Sequence, residues 1–434
     1  MTNDLSGKKL LVLGGTRISC EIIEKAQELG VTVLVTDYNS VDDSPGKQIA
    51  DESFMISTTD VDKVVDLIKQ EHVDGVLVGF NDMLLPYYAD ICNKAGLPCY
   101  GTKEQFELFT NKDLYKAKCR EYGIPTIEEY SINIDTFEED ALNVSFPVLI
   151  KPADNSGARG IFIAKNKAEL LEFYKEALKF TKTGKILVEH YLTGKEVTIF
   201  FVFQDGKYYL AGIGNRHVKS LKDGIIPLPV GYTFPSSITP DYVEHIFPSV
   251  KRMLSSIAIK NGMMFMQCKV ENGVAVVYDI GFRLTASLEY RIFDVCCGYN
   301  PMEMMIRFAL TGKMAVCDIG EKINPTLGAY AYNVSFLAEP GNIGRIVGID
   351  KMKDIEGIAG IVVAHYPGET ISKEMEGLLS QIAVRVVGKA NSEVDLWKTI
   401  DLIQNSIQIL STEDENMVLR KITKSDYDNL LMRV

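Results

Sequence analysis

Hydrophobic and polar residues alternate in blocks along the first hundred residues, and these blocks predict strands separated by helices. The predicted buried strands, which are continuous apolar runs, cover 9–13, 31–36 and 73–78. The predicted helices, which show helical spacing of apolar residues, cover 18–29, 61–69 and 83–95. Strands that alternate with helices imply a parallel, doubly wound sheet, so we expect an α/β unit that ends near residue 108.

The middle of the chain predicts helices mixed with paired strands. The predicted helices cover 111–122, 167–180, 241–260 and 302–310. The predicted strands cover 146–152, 161–164, 185–189, 197–203, 208–212, 265–271 and 274–280. Asp205-Gly206 and Asn272-Gly273 each separate two of these strands, and such dipeptides favour the turn of a tight hairpin. We therefore expect antiparallel pairs here, so that the fold class combines α/β and α+β.

From about residue 325 the pattern changes to antiparallel strands with a helix. The predicted strands cover 360–365 and 382–388, and a predicted helix covers 401–410. We expect this region to form a separate C-terminal subdomain.

Composition and charge narrow the classes of function. The chain has 434 residues, of which 46% are hydrophobic and 24% charged, as in ordinary globular proteins. A formal net charge of −12 argues against nucleic acid or an anionic membrane as partner, because both would repel this surface on average. No basic stretch leads into an apolar segment at the start, and no apolar run reaches about 18 residues, so we expect a cytoplasmic protein without a membrane span. The 8 cysteines and 5 histidines are scattered, which predicts reduced thiols and no zinc site.

A loop rich in glycine and serine between two predicted strands is the first candidate for ligand binding. Gly157 and Gly160 let the backbone approach a ligand closely, and their N–H groups can hold phosphate oxygens. Lys151, at the mouth of the preceding strand, can reach an α- or β-phosphate. A plain hairpin with a surface lysine is the alternative interpretation.

The segment 189–196 is the second candidate. A strand that ends at Glu189 continues into an extended link, and such a link can offer backbone groups to an adenine edge. Glu189 and Glu196 can then address the base amine and the ribose hydroxyls. A solvated acidic loop is the alternative interpretation.

The hairpin around Asn272-Gly273 is the third candidate. Polar residues share one face of each of its strands: Gln267, Lys269 and Glu271 on the first, and Asp279, Gly281 and Arg283 on the second. Polar groups in otherwise apolar strands are costly unless they bind something. A carboxylate and an amide here could hold Mg²⁺ against ATP phosphates, because Mg²⁺ prefers oxygen ligands. A salt-bridged edge hairpin is the alternative.

Taken in this order, the three elements resemble the ATP-grasp superfamily. That group includes biotin carboxylase, the large chain of carbamoyl phosphate synthetase, D-alanine–D-alanine ligase and ligases of the purine pathway. The resemblance implies four parts: a Rossmann-like domain over 1–108, a small ATP-grasp lobe over 109–190, a large lobe with the metal hairpin over 191–324, and a C-terminal subdomain over 325–434.

The resemblance also implies which residues bind ATP. Asn111-Lys112-Asp113, which precedes Gly123-Ile124-Pro125, matches the family's first nucleotide lysine, and 147–151 matches the second. The implied nucleotide-binding residues are Lys112, Lys151, Ser156, Gly157, Gly160, Glu189, His190, Tyr191, Leu192 and Glu196.

The metal hairpin departs from the family pattern. The family usually has a Glu and, twelve residues later, a second Glu within Glu-x-Asn-x-Arg. Here the spacing holds, but the two acids are replaced by Gln267 and Asp279, the Asn by Gly281, and only Arg283 is retained. A neutral amide offsets less Mg²⁺ charge than a carboxylate does, so the number of metals stays open, and Glu271 is a candidate further ligand. The motif Gly-Phe-Arg-Leu at 281–284 resembles a carbamoyl-phosphate-synthase-like branch.

The first βα turn suggests an alternative ligand. Gly14-Gly15-Thr16 with Asp37 resembles part of a dinucleotide fingerprint, although Gly-x-Gly-x-x-Gly is absent. In the ATP-grasp family this turn faces the substrate side of the cleft. Asn81 and Asp82 follow the third predicted strand, where α/β sheets place ligands, and a helix N-cap is the alternative.

Two further clusters have candidate chemistry. Arg216, within a basic cluster at 215–219, could clamp a phosphate or a substrate carboxylate, and an exposed basic loop is the alternative. Cys296 and Cys297 are more typical of a core than of a nucleophile, because nothing nearby in the sequence supplies a base.

The resemblance implies a two-step ligase reaction that uses ATP and Mg²⁺, with Mn²⁺ as a possible substitute. A small-molecule carboxylate would attack the γ-phosphate, and an amine or another nucleophile would then displace phosphate from the acyl phosphate. Arg283 and Arg216 would orient substrate and intermediate, and the loop 154–160 would close to exclude water. The family often dimerises, so a homodimer is expected.

Two alternatives stay open. The first is bicarbonate-dependent, carbamoyl-type or biotin-dependent carboxylation. A biotin carrier would then be a separate chain, because the sequence contains no Ala-Met-Lys-Met segment. The second is a nucleotide-binding protein that lost catalysis when its metal carboxylates changed.

Overall fold

The computed structural model describes residues 5–153, 160–219, 227–352 and 354–424. The N-terminal residues form a four-stranded parallel sheet in the order β3-β2-β1-β4. Its strands are β1 (Lys9–Leu13), β2 (Thr32–Thr36), β3 (Glu52–Phe54) and β4 (Gly75–Val78). The helices of this part are α1 (Cys20–Glu28), α2 (Pro45–Ile49), α3 (Val61–Glu71), α4 (Leu85–Ala95) and α5 (Lys103–Thr110). The predicted parallel α/β arrangement is confirmed, whereas β3 and α5 were not predicted.

Helix α6 (Lys112–Glu121) begins immediately after α5 because Asn111 caps it. The Asn111 side chain accepts hydrogen bonds from the backbone N–H groups of Asp113 at 3.0 Å and Leu114 at 3.2 Å. An N-cap residue has non-helical backbone angles, so it separates the two helices. This cap fixes Lys112 as the first residue of α6, at the edge of the candidate site.

A small lobe follows α6 and has its own hydrophobic core. Its four-stranded sheet has the order β5-β8-β6-β7. The elements are β5 (Glu129–Tyr130), α7 (Phe137–Asp140), β6 (Val148–Pro152), β7 (Phe162–Ala164), α8 (Lys167–Ala177) and β8 (Ile186–His190). This core is separate from the core that the N-terminal sheet shares with the large sheet. The small lobe is therefore a distinct unit, which forms one wall of the candidate cleft.

An eight-stranded sheet forms the other wall, in the order β13-β12-β9-β10-β11-β14-β18-β16. Its first part contains β9 (Lys195–Gln204), β10 (Lys207–Lys219), β11 (Leu228–Phe234), α9 (Thr239–Asp241), α10 (Phe247–Ser256), β12 (Gly262–Glu271) and β13 (Val274–Gly281). Both predicted hairpins are present. Asp205 and Gly206 have φ of 51° and 80°, and Asn272 and Gly273 have φ of 51° and 78°, as a type I′ turn requires.

The rest of the chain continues this sheet rather than starting a new one. The elements are α11 (Glu289–Cys297), α12 (Pro301–Thr311), β14 (Tyr330–Leu337), β15 (Gly341–Val347), α13 (Ile349–Met352), β16 (Ile358–Val363), β17 (Thr370–Ile371), β18 (Ile382–Ala390), α14 (Glu393–Ser406) and β19 (Gln408–Ser411). Strands β14, β18 and β16 join the large sheet, and β17-β15-β19 form a small sheet. The expected boundary near 325 therefore does not coincide with a break in the large sheet, although a second core lies beneath α14.

The N-terminal sheet and the large sheet share one core, which an aromatic cluster helps to join. Tyr100 and Phe106 contact Phe282 with ring centroids 5.2 Å and 5.5 Å apart, and the Tyr100 hydroxyl donates to the Phe282 carbonyl at 3.1 Å. Aromatic pairs of this kind add stability beyond their buried area. The cluster holds the end of β13, and with it Arg283, against the N-terminal domain. None of the helices in the described residues is long and apolar enough to cross a membrane.

Candidate functional site

A row of polar residues crosses one face of the large sheet. The residues are direct neighbours on successive strands: Lys269 on β12, Glu196 on β9, Arg216 on β10, Tyr232 on β11 and Asn333 on β14. Directly paired residues in a sheet point to the same face, so these five side chains lie side by side. The row combines two predicted site residues, Glu196 and Arg216, with three that sequence analysis did not assign.

Glu196 and Arg216 form the centre of this polar row. They make an ion pair, the Arg216 Nε donates to the Tyr232 hydroxyl at 3.2 Å, and the Tyr278 hydroxyl donates to Glu196 at 3.1 Å. Burial alone would lower the pKa of Arg216, but Tyr232, Tyr278 and Glu196 hold that pKa above its ordinary value. Arg216 therefore stays a cation, and the predicted ribose carboxylate Glu196 has a protein partner already.

Gln267 and Asp279 are direct partners across β12 and β13, as their predicted roles require. Burial raises the pKa of Asp279, Asp82 raises it further, and Lys112 and Arg283 oppose the rise. A buried carboxylate that nearby cations do not fully neutralise is suited to a divalent ion. The described residues contain no group of three or more histidine, cysteine, aspartate or glutamate residues around one point. The Gln267–Asp279 pair supplies one carboxylate and one amide oxygen, both of which are ligand types that a divalent ion accepts.

Glu271, the suggested additional metal ligand, does not lie beside Asp279. It pairs with Val274 at the turn end of the hairpin, four residues from Gln267 and thus about 13 Å away along the strand. Its carboxylate lies 3.3 Å from the His190 Nε2 instead. Glu271 connects the hairpin to the small lobe rather than completing the Gln267–Asp279 pair.

Arg283 lies against the N-terminal domain through Asp82. Its Nε and Nη2 donate to the two carboxylate oxygens of Asp82 at 2.7 Å and 2.5 Å, and its guanidinium stacks over the Phe265 ring at 5.2 Å. Two-point pairing of this kind fixes the orientation of a guanidinium. Asn81 caps the turn after β4 by accepting from the Met83 N–H at 3.0 Å. The structure thus brings Asp82 and Arg283 together beside Asp279.

Lys151 and Glu189, both predicted to bind ATP, belong to a buried charge network with Lys116. Glu189 forms an ion pair with Lys151 and accepts from Lys116 at 2.7 Å, and Lys116 also pairs with Glu129 at 2.5 Å. Lys116 and Glu189 each have 1% of their side chain exposed, so neither charge can turn to solvent. Sequence analysis missed Lys116, although its position four residues after Lys112 puts both lysines on one face of α6.

Burial and neighbouring charges shift the pKa values of Glu189 and Lys151 in this network. Burial would raise the pKa of Glu189, but Lys151 and Lys116 hold that pKa below its ordinary value. Burial is the main cause that lowers the pKa of Lys151, and Lys112 and Lys116 add to it. Lys112 thus acts on Lys151 in the small lobe and on Asp279 in the large sheet. Helix α6, which carries Lys112, contacts both regions: the Tyr115 hydroxyl donates to the Tyr278 carbonyl, next to Asp279, at 2.7 Å, and Lys116 pairs with Glu189, the partner of Lys151.

The predicted adenine link at 189–196 contacts the large sheet through Lys269. The Lys269 ammonium donates to the Leu192 carbonyl at 3.0 Å and lies 5.5 Å from the centre of the Tyr191 ring. His190 Nδ1 lies 3.4 Å from the Ser145 carbonyl oxygen.

Gly160 has a φ of +76°, which favours glycine, and its α-carbon packs against Phe180. Ser156 and Gly157 lie outside the described residues.

The glycine turn after β1 is hydrogen-bonded to other residues of the same domain. Asp37 accepts from the Gly15 N–H and the Ser44 hydroxyl, each at 2.8 Å, and pairs with Lys47 at 2.9 Å. Burial would raise the pKa of Asp37, but Lys47 and these donors hold it below its ordinary value. The Gly46 N–H also donates to the Gly15 carbonyl at 2.8 Å, so α2 covers the turn. The carboxylate that a dinucleotide ribose would need is thus engaged within the protein.

We expect Gly15→Ala to lower the free energy of unfolding by about 1–3 kcal/mol, the usual range for overpacking. An added Cβ would lie 2.2 Å from the Ser44 Oγ and 3.1 Å from an Asp37 oxygen. Urea unfolding of Gly15→Ala, Ser44→Ala and the double variant measures the effect. Because Ser44→Ala removes the closest atom, the double variant should lose less than the sum of the single losses. Strict additivity would contradict the proposed close contact.

Cys296 and Cys297 are not arranged as nucleophiles. Both lie at the C-terminal end of α11 and are half-buried. Burial raises the pKa of Cys296 to about 11 and also raises the pKa of Cys297. Protonated thiols are poor nucleophiles, which agrees with the expectation of a packing role.

Comparison with known families agrees with this geometry. Residues 144–284, which contain the strand of Lys151, the link 189–196 and the hairpin, match the ATP-grasp domain. The 2-oxoglutarate carboxylase small subunit of Hydrogenobacter thermophilus (strain DSM 6534 / IAM 12695 / TK-6) is 28% identical over 225 residues, which are 48% of this chain and 48% of that protein. The alignment therefore spans about half the length of this curated relative.

Solved structures resemble nearly the whole chain. Phosphoribosylglycinamide synthetase from Anaerococcus prevotii superposes with a TM-score of 0.76 at 19% identity, over 93% of this chain and 99% of that chain. The biotin carboxylase domain dimer of Hydrogenobacter thermophilus 2-oxoglutarate carboxylase, solved with MgADP, ADP and bicarbonate, superposes with a TM-score of 0.74 at 20% identity, over 94% and 91%. At such identities the likeness establishes the fold alone, and it confirms the predicted combination of an N-terminal parallel α/β sheet with large antiparallel sheets.

Proposed function

Since residues 144–284 form an ATP-grasp domain, we propose that this protein is an ATP-dependent ligase that couples a small-molecule carboxylate to an amine. The observation that carries the proposal is the contact of α6, the helix of Lys112, with both the Glu189–Lys151 pair and the strand of Asp279. Two lysines can neutralise a polyphosphate, and a carboxylate can hold its divalent cation. The fold is shared with a synthetase named for an amide product, which supports amide formation as the reaction.

Asp279 and Gln267 would hold Mg²⁺, and Mn²⁺ is a proposed substitute. Mg²⁺ is commonly bound by one or two carboxylates together with substrate phosphates, and the Gln267–Asp279 pair supplies one carboxylate and one amide oxygen. When bound, the ion supplies charge neutralisation to the transferring phosphoryl group. The MgADP held by a structurally similar biotin carboxylase domain supports this assignment.

Side chains of the cleft would neutralise phosphate charge, position the substrate and stabilise the acyl phosphate. Lys151 would neutralise phosphate charge, and binding of ATP would draw its ammonium away from Glu189, which keeps Lys116 as partner. Arg283, oriented by Asp82, would position the substrate carboxylate for attack on the γ-phosphate. Arg216, kept cationic beside Glu196, would stabilise the charge on the acyl phosphate until an amine displaces phosphate.

A second candidate function is ATP-dependent activation of bicarbonate. It is favoured by the likeness to a carboxylase subunit and to a biotin carboxylase domain solved with bicarbonate. That domain is a dimer, and we propose a homodimer for this chain as well. A cytoplasmic location also stays a proposal.

The test is ATP-dependent phosphate release with pools of carboxylates and amines, measured for the wild type and Lys151→Met. We expect one carboxylate–amine pool to stimulate release, and Lys151→Met to lower the stimulated rate about 100-fold or more, because a charge that stabilises the transition state is removed. Lys179→Met is the matched control, since Lys179 is 65% exposed in the same lobe and its ammonium pairs with Glu176 at 2.5 Å. It should keep the wild-type rate.

The other outcomes discriminate between the alternatives. Stimulation by bicarbonate with free biotin, and not by amines, would favour carboxylation. ATP binding without phosphate release in any pool would favour a nucleotide-binding protein without catalysis. An unchanged rate in Lys151→Met would refute the proposed nucleotide site.

A further inference from the structure

The guanidinium of Arg385 on β18 differs from those of three other arginines, because no residue in the described part of the chain pairs with it. The others pair with carboxylates: Arg216 with Glu196, Arg283 with Asp82 and Arg291 with Glu21. The Arg385 guanidinium makes neither a hydrogen bond nor an ion pair with any residue that the structure describes, although the residue is only partly exposed. A guanidinium that is recessed but unpaired loses hydration without gaining hydrogen bonds, which is costly.

The sheet register puts Arg385 on the same face as the polar row. Arg385 pairs directly with Ser335 on β14, and Ser335 lies two residues after Asn333, the last member of that row. Residues two apart on a strand share a face. The Asn333 amide donates to the Ser287 carbonyl at 2.5 Å, so this face lies beneath the segment that leads into α11. Arg385 thus extends the polar row into a recess roofed by α11.

Charged and polar groups surround this recess. Burial lowers the pKa of Arg385, and Tyr290, Tyr232, Glu21 and Glu289 oppose the decrease without contacting the guanidinium closely enough to pair with it. A cation in such a position stabilises an added anion strongly, because the local dielectric is low and the donors are already dehydrated.

The neighbouring carboxylates cannot serve as that anion, because each has other partners. Glu21 accepts from Arg291 at 2.8 Å and 3.0 Å and from the Tyr290 hydroxyl at 3.0 Å. Glu289 accepts from the Ser287 hydroxyl at 2.9 Å and pairs with Thr285. Neither carboxylate is hydrogen-bonded to the Arg385 guanidinium in the described part of the chain.

We propose that Arg385 binds an anionic oxyacid group, a carboxylate or a phosphate, at the end of the substrate remote from the reacting carboxyl group. Three strand spacings separate β18 from β10, the strand of Arg216, which corresponds to about 14 Å across the sheet. Because both arginine side chains are long, an anion at each can belong to one elongated substrate. The inference rests on the proposed ligase function and narrows its substrate to a molecule with two separated anionic groups.

The test is binding of defined anions to the full chain saturated with MgADP, measured by titration calorimetry. The probes are succinate, glutarate, adipate and pimelate, the monocarboxylates of equal length, and inorganic phosphate. We expect the wild type to bind one dicarboxylate at least about tenfold more tightly than its monocarboxylate, and Arg385→Gln to lose about 100-fold in affinity for it, as for a truncated buried charge pair. Arg345→Gln is the control, because Arg345 is 57% exposed on the small sheet and pairs with Asp414.

Each outcome bears on the proposal. Phosphate binding that also depends on Arg385 would identify phosphate as the recognised group, whereas dicarboxylate binding alone would identify a carboxylate. Equal affinities of the wild type and Arg385→Gln for every probe would overturn the inference, as would a wild type that binds mono- and dicarboxylates alike and whose phosphate binding does not depend on Arg385. Failure of MgADP itself to bind would instead contradict the proposed function, so the two failures can be told apart.

Discussion

Asp279→Asn is expected to lower ATP-dependent phosphate release by about 100- to 1000-fold, the range found when a preorganised electrostatic contact is removed from an active site. Asp279 is the one carboxylate in its cross-strand pair with Gln267, and asparagine keeps its size while it removes its charge. Two neutral amides would then face the nucleotide phosphates, so the divalent ion would lose its charged protein ligand. Initial rates measured across a range of Mg²⁺ concentrations should show both a lower maximum and a higher Mg²⁺ requirement.

Asp205→Asn is the matched control for this experiment. Asp205 lies in the type I′ turn of the neighbouring hairpin with a φ of 51°, a conformation that asparagine adopts readily. The same substitution there should leave both the rate and the Mg²⁺ requirement unchanged. If Asp279→Asn behaves like this control, the metal assignment on the hairpin is wrong even if the nucleotide binds in the cleft.

Lys116→Met is expected to lower the free energy of unfolding by about 3–5 kcal/mol, the usual cost of removing one partner from a buried ion pair. Its ammonium contacts Glu189 at 2.7 Å and Glu129 at 2.5 Å, and the side chains of Lys116 and Glu189 are both 1% exposed. Without Lys116, the buried Glu189 retains only Lys151, which the proposed mechanism requires to turn toward phosphate. Chemical unfolding followed by fluorescence and circular dichroism measures the loss.

Lys118→Met separates this effect from a general loss of charge on α6. Lys118 lies on the same helix and pairs with Glu121 at 3.0 Å, three residues away on the helix surface. Such pairs contribute about 0–1 kcal/mol, so this variant should be close to the wild type. The double variant Lys116→Met/Glu189→Gln should recover part of the loss, because the unpaired negative charge is gone. Equal losses in Lys116→Met and Lys118→Met would rule out the buried network as a source of stability.

Local elements of the fold could be predicted because their signals are local. The turns at Asp205-Gly206 and Asn272-Gly273 need positive φ at both positions, and few residue pairs accept this cheaply. Helix α5 was missed because its apolar residues are few, and it is held by a capping box in which the Thr102 side chain and Gln105 satisfy each other's backbone groups. The continuity of the large sheet past residue 325 was also missed, because pairing of distant strands leaves no short-range pattern.

In the candidate site, too, some features could be predicted from the sequence and others could not. The spacing of Lys112, Lys151 and Asp279 could be recognised through the family resemblance, and in the structure the helix of Lys112 contacts the strand of Asp279 and the Glu189–Lys151 pair. The partners of these residues could not be recognised. Lys116 neutralises Glu189, and Asp82 orients Arg283. In each pair the two residues lie on different elements, so the contact forms only when those elements pack together.

The sequence by itself determined most of the strands and helices, the two tight hairpins and the residue types able to bind a nucleotide and its metal, because backbone preference and side-chain chemistry act over a few residues. It failed at 401–410, a predicted helix, where α14 ends at Ser406 and β19 begins at Gln408. The tertiary structure alone decided which charges are neutralised within the protein and which remain available to a ligand. Glu189 and Asp37 are engaged by lysines from other elements, whereas Arg385 faces a recess whose carboxylates have other partners. The reason is physical: the free energy of a charge depends on its burial and on every charge within several ångströms, and these distances are set by the packing of segments far apart in the chain.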